Sequence, residues 1–187
     1  MHRPTSSRTR GFTLIELLVA VAVVIVLLTL AAPSFRELIA LQRLKSINAE
    51  LVTDLQYARS EAVSRNTSIY IKFGSSTAMS CYVLYKTAAF GAPCDCTRPP
   101  GTACTGSFEE IRTTQIPVST DVQVSVPDPT LSLSFGKDGR RPVADSYTIS
   151  TTRIGGGSGQ MQVIVNAMGR PTVCSPDQSI SGVPACN

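Results

Sequence analysis

"RGFTLIELLVAVAVVIVLLTLAAPSF" occupies Arg10–Phe35. From Phe12 to Ala32 there are 21 residues and a single charge, Glu16. At about 1.5 Å per residue that helix is about 31 Å long, close to the hydrocarbon thickness of a bilayer. It is longer than the apolar core of a cleaved signal peptide, about 7–15 residues, and Ala31-Ala32-Pro33 is a poor cleavage site. The stretch is therefore predicted to span a membrane once, over residues 12–33. Arg3, Arg8 and Arg10 precede it without any acid, so the N-terminal end is expected in the cytoplasm and everything beyond Ala32 outside it.

The chain has 187 residues, enough for one domain beyond such an anchor. Its formal charge is +4. Without residues 1–11, 14 Lys/Arg face 13 Asp/Glu, or +1, so overall basicity says little about partners.

The helical pattern continues past the apolar run. Pro33 removes a backbone donor and crowds the preceding turn, which predicts a kink. Leu44, Ile47, Leu51, Leu55, Ala58 and Ala62 then recur at a mean spacing of about 3.6, the period of a one-sided helix. Arg43, Lys45, Glu50, Asp54, Arg59 and Glu61 fall mostly off that stripe. One helix from about Phe12 to about Ser64 is expected, apolar all round in its first half and amphipathic over 34–65.

After Asn66 the texture changes. "TSIYIKF" (67–73), "CYVLYK" (81–86), "FEEIRTTQIPV" (108–118), "VQVSV" (122–126), "LSLSF" (131–135), "YTIST" (147–151) and "QMQVIV" (160–165) are short and rich in β-branched and aromatic residues. Gly, Pro, Asp or Ser bound each of them. The fold class is α+β, with the long kinked helix packed on antiparallel sheet over 66–187. Residues 88–106 read as loop, and "GGGSGQ" (155–160) as a flexible hairpin loop.

Six cysteines in an exported domain point to disulfides. Cys94 and Cys96 are too close to bond each other comfortably, so each is expected to pair with one of Cys81 and Cys104, in an order left open. Cys174 and Cys186 form the remaining pair, worth about 3 kcal/mol in the chain-entropy picture. Cys-x-Cys followed by x7-Cys is not a common zinc spacing, and no metal is expected.

Enzymatic chemistry finds little footing. The sole histidine, His2, lies ahead of the apolar run, which removes Ser-His and Cys-His pairs from the exported part. "GGGSGQ" lacks the Gly-Lys-Ser/Thr ending and following helix of a phosphate loop. Glu109 and Glu110 are neighbours in a strand-like run and face opposite sides. No enzyme activity and no cofactor are expected.

"RGFTLIELL" resembles the class III signal of type IV pilins and type II secretion pseudopilins, through Gly11, Phe12, Glu16, the unbroken apolar run and Pro33. The resemblance implies that 1–11 is a leader removed by prepilin peptidase between Gly11 and Phe12, that Phe12 becomes N-methylated, and that the helices stack into a filament drawn from the inner membrane. Glu16 would then be the fifth residue of the processed chain, where it can pair with the new α-amino group of a neighbouring subunit. A buried carboxylate is tolerable when paired and costly when not, so Glu16 would reward correct register.

Further on, "AELVTDLQYARSEAVSRNTSIYI" (49–71), "LSLSFGKDGRRP" (131–142, through Phe135 and Gly139) and "VIVNAMGRPTVC" (163–174) resemble the helix end and first strand, a hairpin and the closing strand of the GspH/FimT/FimU group of minor pilins. That likeness implies a minor pilin near the pilus tip that helps prime assembly. Its partners would be major and minor pilins, the peptidase and the inner-membrane assembly platform. It would be anchored in the inner membrane with its domain in the periplasm, then reside in the extracellular pilus.

Two other roles share the fold. One is a secretion pseudopilin. The other is a DNA-binding minor pilin of transformation, whose Gly-Arg-x-Arg places two arginines on phosphates. Here the match is Gly169-Arg170-Pro171-Thr172, with Thr172 in place of the second arginine. On that reading DNA would meet Arg170 with Lys137, Arg140, Arg141 and Arg153, five cations against Asp138 and Asp145, a modest bias.

Overall fold

A computed structural model describes residues 11–87, 94–155 and 159–186, without the side chains of 30–34 and 36. The leader residues 1–10, the start of the 88–106 loop and the centre of "GGGSGQ" lie outside the described residues.

The chain forms two compact units, Met1–Ile39 and Ala40–Asn187. One helix, α1 (Leu14–Ser64), belongs to both. Thr13 caps its start: the Glu16 N–H donates to Thr13 Oγ1 at 3.3 Å, and the pair matches the Thr-x-x-Glu spacing of a capping box. At the other end Asn66 takes a left-handed φ of 49°. Thr67 N–H then reaches the Ala62 carbonyl (3.1 Å) and Asn66 N–H the Val63 carbonyl (3.3 Å), the two bonds of a Schellman stop.

In the first unit the helix exposes its apolar side chains, with Phe12, just ahead of it, 85% accessible. Described side chains run from Leu14 to Thr29, 16 residues or about 24 Å of helix. Among the described residues no helix is long and apolar enough to cross a membrane. The rest of the predicted span, Leu30–Pro33, falls where side chains are not described. Pro33 lies inside α1, and the kink expected there falls in the same stretch.

The second unit contains β1 (Ile69–Ser75), β2 (Met79–Lys86), β3 (Glu109–Pro117), β4 (Val122–Ser125), β5 (Leu133–Phe135), β6 (Tyr147–Arg153), β7 (Gln160–Val165) and β8 (Pro171–Cys174). They divide into two antiparallel four-stranded sheets, β3-β2-β1-β5 and β4-β6-β7-β8. The "VIVNAMGRPTVC" segment, read as one closing strand, holds the end of β7, a tight turn and β8.

The amphipathic stripe forms the core. Leu51, Leu55, Ala58 and Ala62 are buried against Ile69, Ile71 and Leu84 of the first sheet and Ile149, Val163 and Val165 of the second, with Ile47 partly buried beside them. Leu44 packs one turn earlier with Val122, Met161 and Ile180.

β2 breaks the usual alternation: Ser80 to Tyr85 are all buried. The cause is a second layer. On the face away from α1, Cys81, Val83 and Tyr85 are covered by Cys94, Cys96 and Ala103. Of the two cysteine pairings left open, the structure takes Cys81–Cys96 with Cys94–Cys104, and Cys174 bonds Cys186. Glu110 of β3 holds this loop by accepting from Gly101 N–H (2.7 Å) and Ala103 N–H (2.9 Å), while Gln115 Nε2 donates to the Cys96 and Arg98 carbonyls (2.9 and 2.8 Å).

α1 is also tied to the first sheet by a polar anchor. Asp54, 1% exposed, accepts from Tyr82 Oη (2.9 Å), Arg112 Nη1 (2.5 Å) and Thr114 Oγ1 (3.3 Å). Arg112 lies over the Tyr57 ring at 5.2 Å. Burial pushes the Tyr82 hydroxyl pKa well up, so it stays a donor. Buried Asn48 donates to Thr151 Oγ1 (3.2 Å) and makes the matching link to the second sheet.

Candidate functional site

Two regions carry the residues singled out by sequence. In the first unit, Gly11 and Phe12 precede α1 and are exposed, and Glu16 sits exposed in its first turn. A carboxylate there faces the positive end of the helix dipole. The Glu16 carboxylate therefore has a local role, favouring the positive end of the helix, besides the intersubunit task expected of it.

In the second unit, two turns meet the last turns of α1. The β5–β6 turn is closed by Gly136 N–H to Arg140 O (2.7 Å), and Gly139 N–H donates to Gly136 O (2.8 Å). The β7–β8 turn is closed by Asn166 N–H to Arg170 O (3.2 Å), and Asn166 Oδ1 accepts from Arg170 N–H (3.0 Å). Gly139 and Gly169 both have φ of 71°, which favours glycine. At Gly169 a Cβ would stand 2.3 Å from the Gly139 carbonyl oxygen, so the turns touch backbone to backbone. Arg141 N–H donates to Ala167 O (3.0 Å) and zips them together. Arg59, from α1, donates through Nε to Gly139 O at 2.9 Å.

The motifs Phe135–Gly139 and Gly169–Arg170 thus form one junction, and Arg59 is the member that sequence reasoning missed. Its partner lies 80 residues away, and nothing in the local pattern marks it out among the charges off the stripe.

Of the five cations grouped by the DNA reading, four lie on or beside the two touching turns, and Arg153 lies apart. Lys137 and Arg140 are exposed on the first turn, Arg140 loosely paired with Asp138 at 3.9 Å. Arg141 is half-buried: Nη1 donates to the carbonyls of Val165 (3.2 Å) and Asp145, and the guanidinium covers the Tyr147 ring at 5.5 Å. Burial lowers the Arg141 pKa and pushes Tyr147 up to about 12. Arg153 lies at the other end of β6, about 20 Å from Tyr147 at the rise of a strand. Arg170 is exposed on the second turn. Thr172 spends its hydroxyl on the Ile164 carbonyl (3.1 Å).

Beside the junction is an open groove of about 760 Å³. Gln56, Arg59, Ser60 and Val63 of α1 form one wall, with Arg170 and Pro171 opposite. Among the described residues no cluster of His, Cys, Asp or Glu could hold a metal ion.

Residues 49–169 match the family described as Type II transport protein GspH, 121 of the 187 residues. The chain belongs to the GspH family. Residues 6–32 match the prokaryotic N-terminal methylation motif, and they contain Gly11, Phe12 and Glu16. The type IV minor pilin FimU of Pseudomonas aeruginosa has a similar structure. One crystal form gives a TM-score of 0.55 at 19% identity, covering 75% of this chain and 94% of that one. A second gives 0.52 at 19%, covering 73% and 97%. No curated protein matches the sequence. The α+β pilin fold, a long N-terminal helix on antiparallel sheets, is thus common to this GspH-family chain and FimU.

Proposed function

We propose that this GspH-family chain is a minor type IV pilin, cut between Gly11 and Phe12, N-methylated at Phe12 and incorporated near the pilus tip, where it helps prime assembly. The observation that carries this is the exposed apolar surface from Phe12 to Leu28, interrupted by one carboxylate at the helix start. Such a surface requires lipid or other helices to cover it. Before assembly the cover is the inner membrane, with the β-rich unit in the periplasm. In the filament it is the helices of neighbouring major and minor pilins. The chain acts as a building unit and as a substrate of prepilin peptidase, delivered to the inner-membrane assembly platform, and not as an enzyme.

Glu16 supplies the register. Within the apolar filament core its charge is stable only beside a cation, and the Phe12 amine of a neighbour appears only after cleavage. Glu16→Ala is expected to leave membrane insertion intact and to remove the protein from sheared filaments. Normal incorporation of that variant would defeat the register role.

The same assembly chemistry would serve a type II secretion pseudopilin, and neighbouring genes separate the two: minor-pilin genes favour the pilus, a secretion operon the other. The DNA-uptake alternative draws less support, because Arg153 lies apart from the other four cations and Arg141 is occupied within the fold.

A further inference from the structure

The groove between the end of α1 and the β7–β8 turn has no assigned use. Its two arginines face a space that, among the described residues, no acidic side chain lines. Arg170 is exposed and, among the described residues, makes no ion pair. Arg59 is held by its Nε on Gly139 O, so its terminal nitrogens start from a fixed position. The nearby acid Glu61 is paired with Arg65. Between the arginines the lining is apolar: Val63 is 52% exposed and Pro171 faces it across the groove.

This mixture selects a class of ligand. A nucleic-acid backbone is held by several cations in a row, with aromatic faces for unpaired bases. Among the described residues the groove offers two cations and no aromatic ring, and residues 40–187 as a whole carry 13 Lys/Arg against 11 Asp/Glu. A single carboxylate between apolar side chains fits better. Arginine binds carboxylates through paired N–H donors, and partial burial beside Val63 and Pro171 strengthens such bonds.

We propose that the groove docks an Asp or Glu side chain, flanked by apolar residues, on a neighbouring filament subunit. This rests on the reading of the chain as a filament subunit. The junction of Gly139, Gly169 and Arg59 then has a purpose: it fixes the Arg59 guanidinium and the backbone that carries Arg170 before the partner arrives, which lowers the ordering cost of binding.

The test places a photo-crosslinking amino acid at Ser60, and separately at Gln56, in the full chain in cells that assemble filaments. Ultraviolet light is expected to join the protein to another pilin at a site within a few residues of an Asp or Glu. Arg170→Glu is expected to cut that adduct at least tenfold, and Arg170→Lys to retain most of it. Among the described residues Arg170 is bonded into the fold through its backbone alone, so protein level should not change with either substitution. Adducts confined to nucleic acid, no adduct at either position, or an adduct indifferent to Arg170→Glu would each overturn the docking proposal. Absence of the protein from sheared filaments would overturn the filament reading and the docking with it, whereas presence without an adduct would overturn the docking alone.

Discussion

Gly169→Ala should be much more damaging than Gly139→Ala, although the two glycines share a φ of 71° and face each other. A left-handed φ costs an L-residue about 1–2 kcal/mol, and both substitutions incur it. Their neighbours differ. At Gly139 the nearest atom to a new Cβ is Val63 Cγ2 at 3.0 Å, the end of an exposed side chain that can turn away. At Gly169 it is the Gly139 carbonyl oxygen at 2.3 Å, and ordinary contact begins at 3.4 Å, so one turn must retreat by the difference, 1.1 Å.

A retreat of that size breaks or weakens Arg141 N–H to Ala167 O and Arg59 Nε to Gly139 O, at about 1 kcal/mol each. Gly169→Ala should therefore cost about 3–4 kcal/mol and Gly139→Ala about 1–2 kcal/mol. For a unit of this size that means a fall in Tm of about 10 °C against about 4 °C. Thermal and urea unfolding of a fragment beginning at Ala40, the first residue of the second unit, would measure both. A cost below about 1 kcal/mol for Gly169→Ala, or a larger cost at Gly139, would refute the backbone contact on which the junction rests.

Two further perturbations test what surrounds it. Asp54→Ala leaves the buried Tyr82 hydroxyl without its acceptor and should cost about 2–4 kcal/mol in urea unfolding; Arg112, half exposed, contributes little of this. Adding Tyr82→Phe should cost about 1 kcal/mol less than the sum of the two single changes, and strict additivity would contradict the link. At Glu110 burial pushes the carboxyl pKa up, and hydrogen bonds from Thr113, Gly101, Ala103 and Cys104 more than offset it, leaving it below the ordinary value. Its hold on the 94–104 loop is then complete above the ordinary carboxylate pKa and fades as pH falls through the lowered one. Amide exchange at Gly101 and Ala103 should lose protection as pH falls below the ordinary carboxylate range, and Glu110→Gln should lack that pH step.

The parts of the fold legible in the sequence were those set by short-range pattern. The stripe Leu44–Ala62 repeats at the helical period, and its members are buried or partly buried in the core. The strand-like runs each contain a strand. Asp54 and Asn48 were counted with, or hidden among, polar positions outside the stripe. Their burial depends on Tyr82, Arg112 and Thr151, partners 28 to 103 residues away that local spacing cannot reveal. The uninterrupted burial of β2 likewise required knowing that a disulfide loop covers its second face. In the candidate site, Gly139 and Gly169-Arg170 stood out as motifs, whereas Arg59 did not. A cation on a helix gains its role only when two distant turns arrive beside it.

On the proposed function, this chain is processed and built into a filament through its first residues. Mass spectrometry of the protein in sheared filaments tests it most directly. An N-terminus at Phe12 carrying one methyl group on its amine is expected. A protein that retains residues 1–11, or that never reaches the filament fraction, would contradict it.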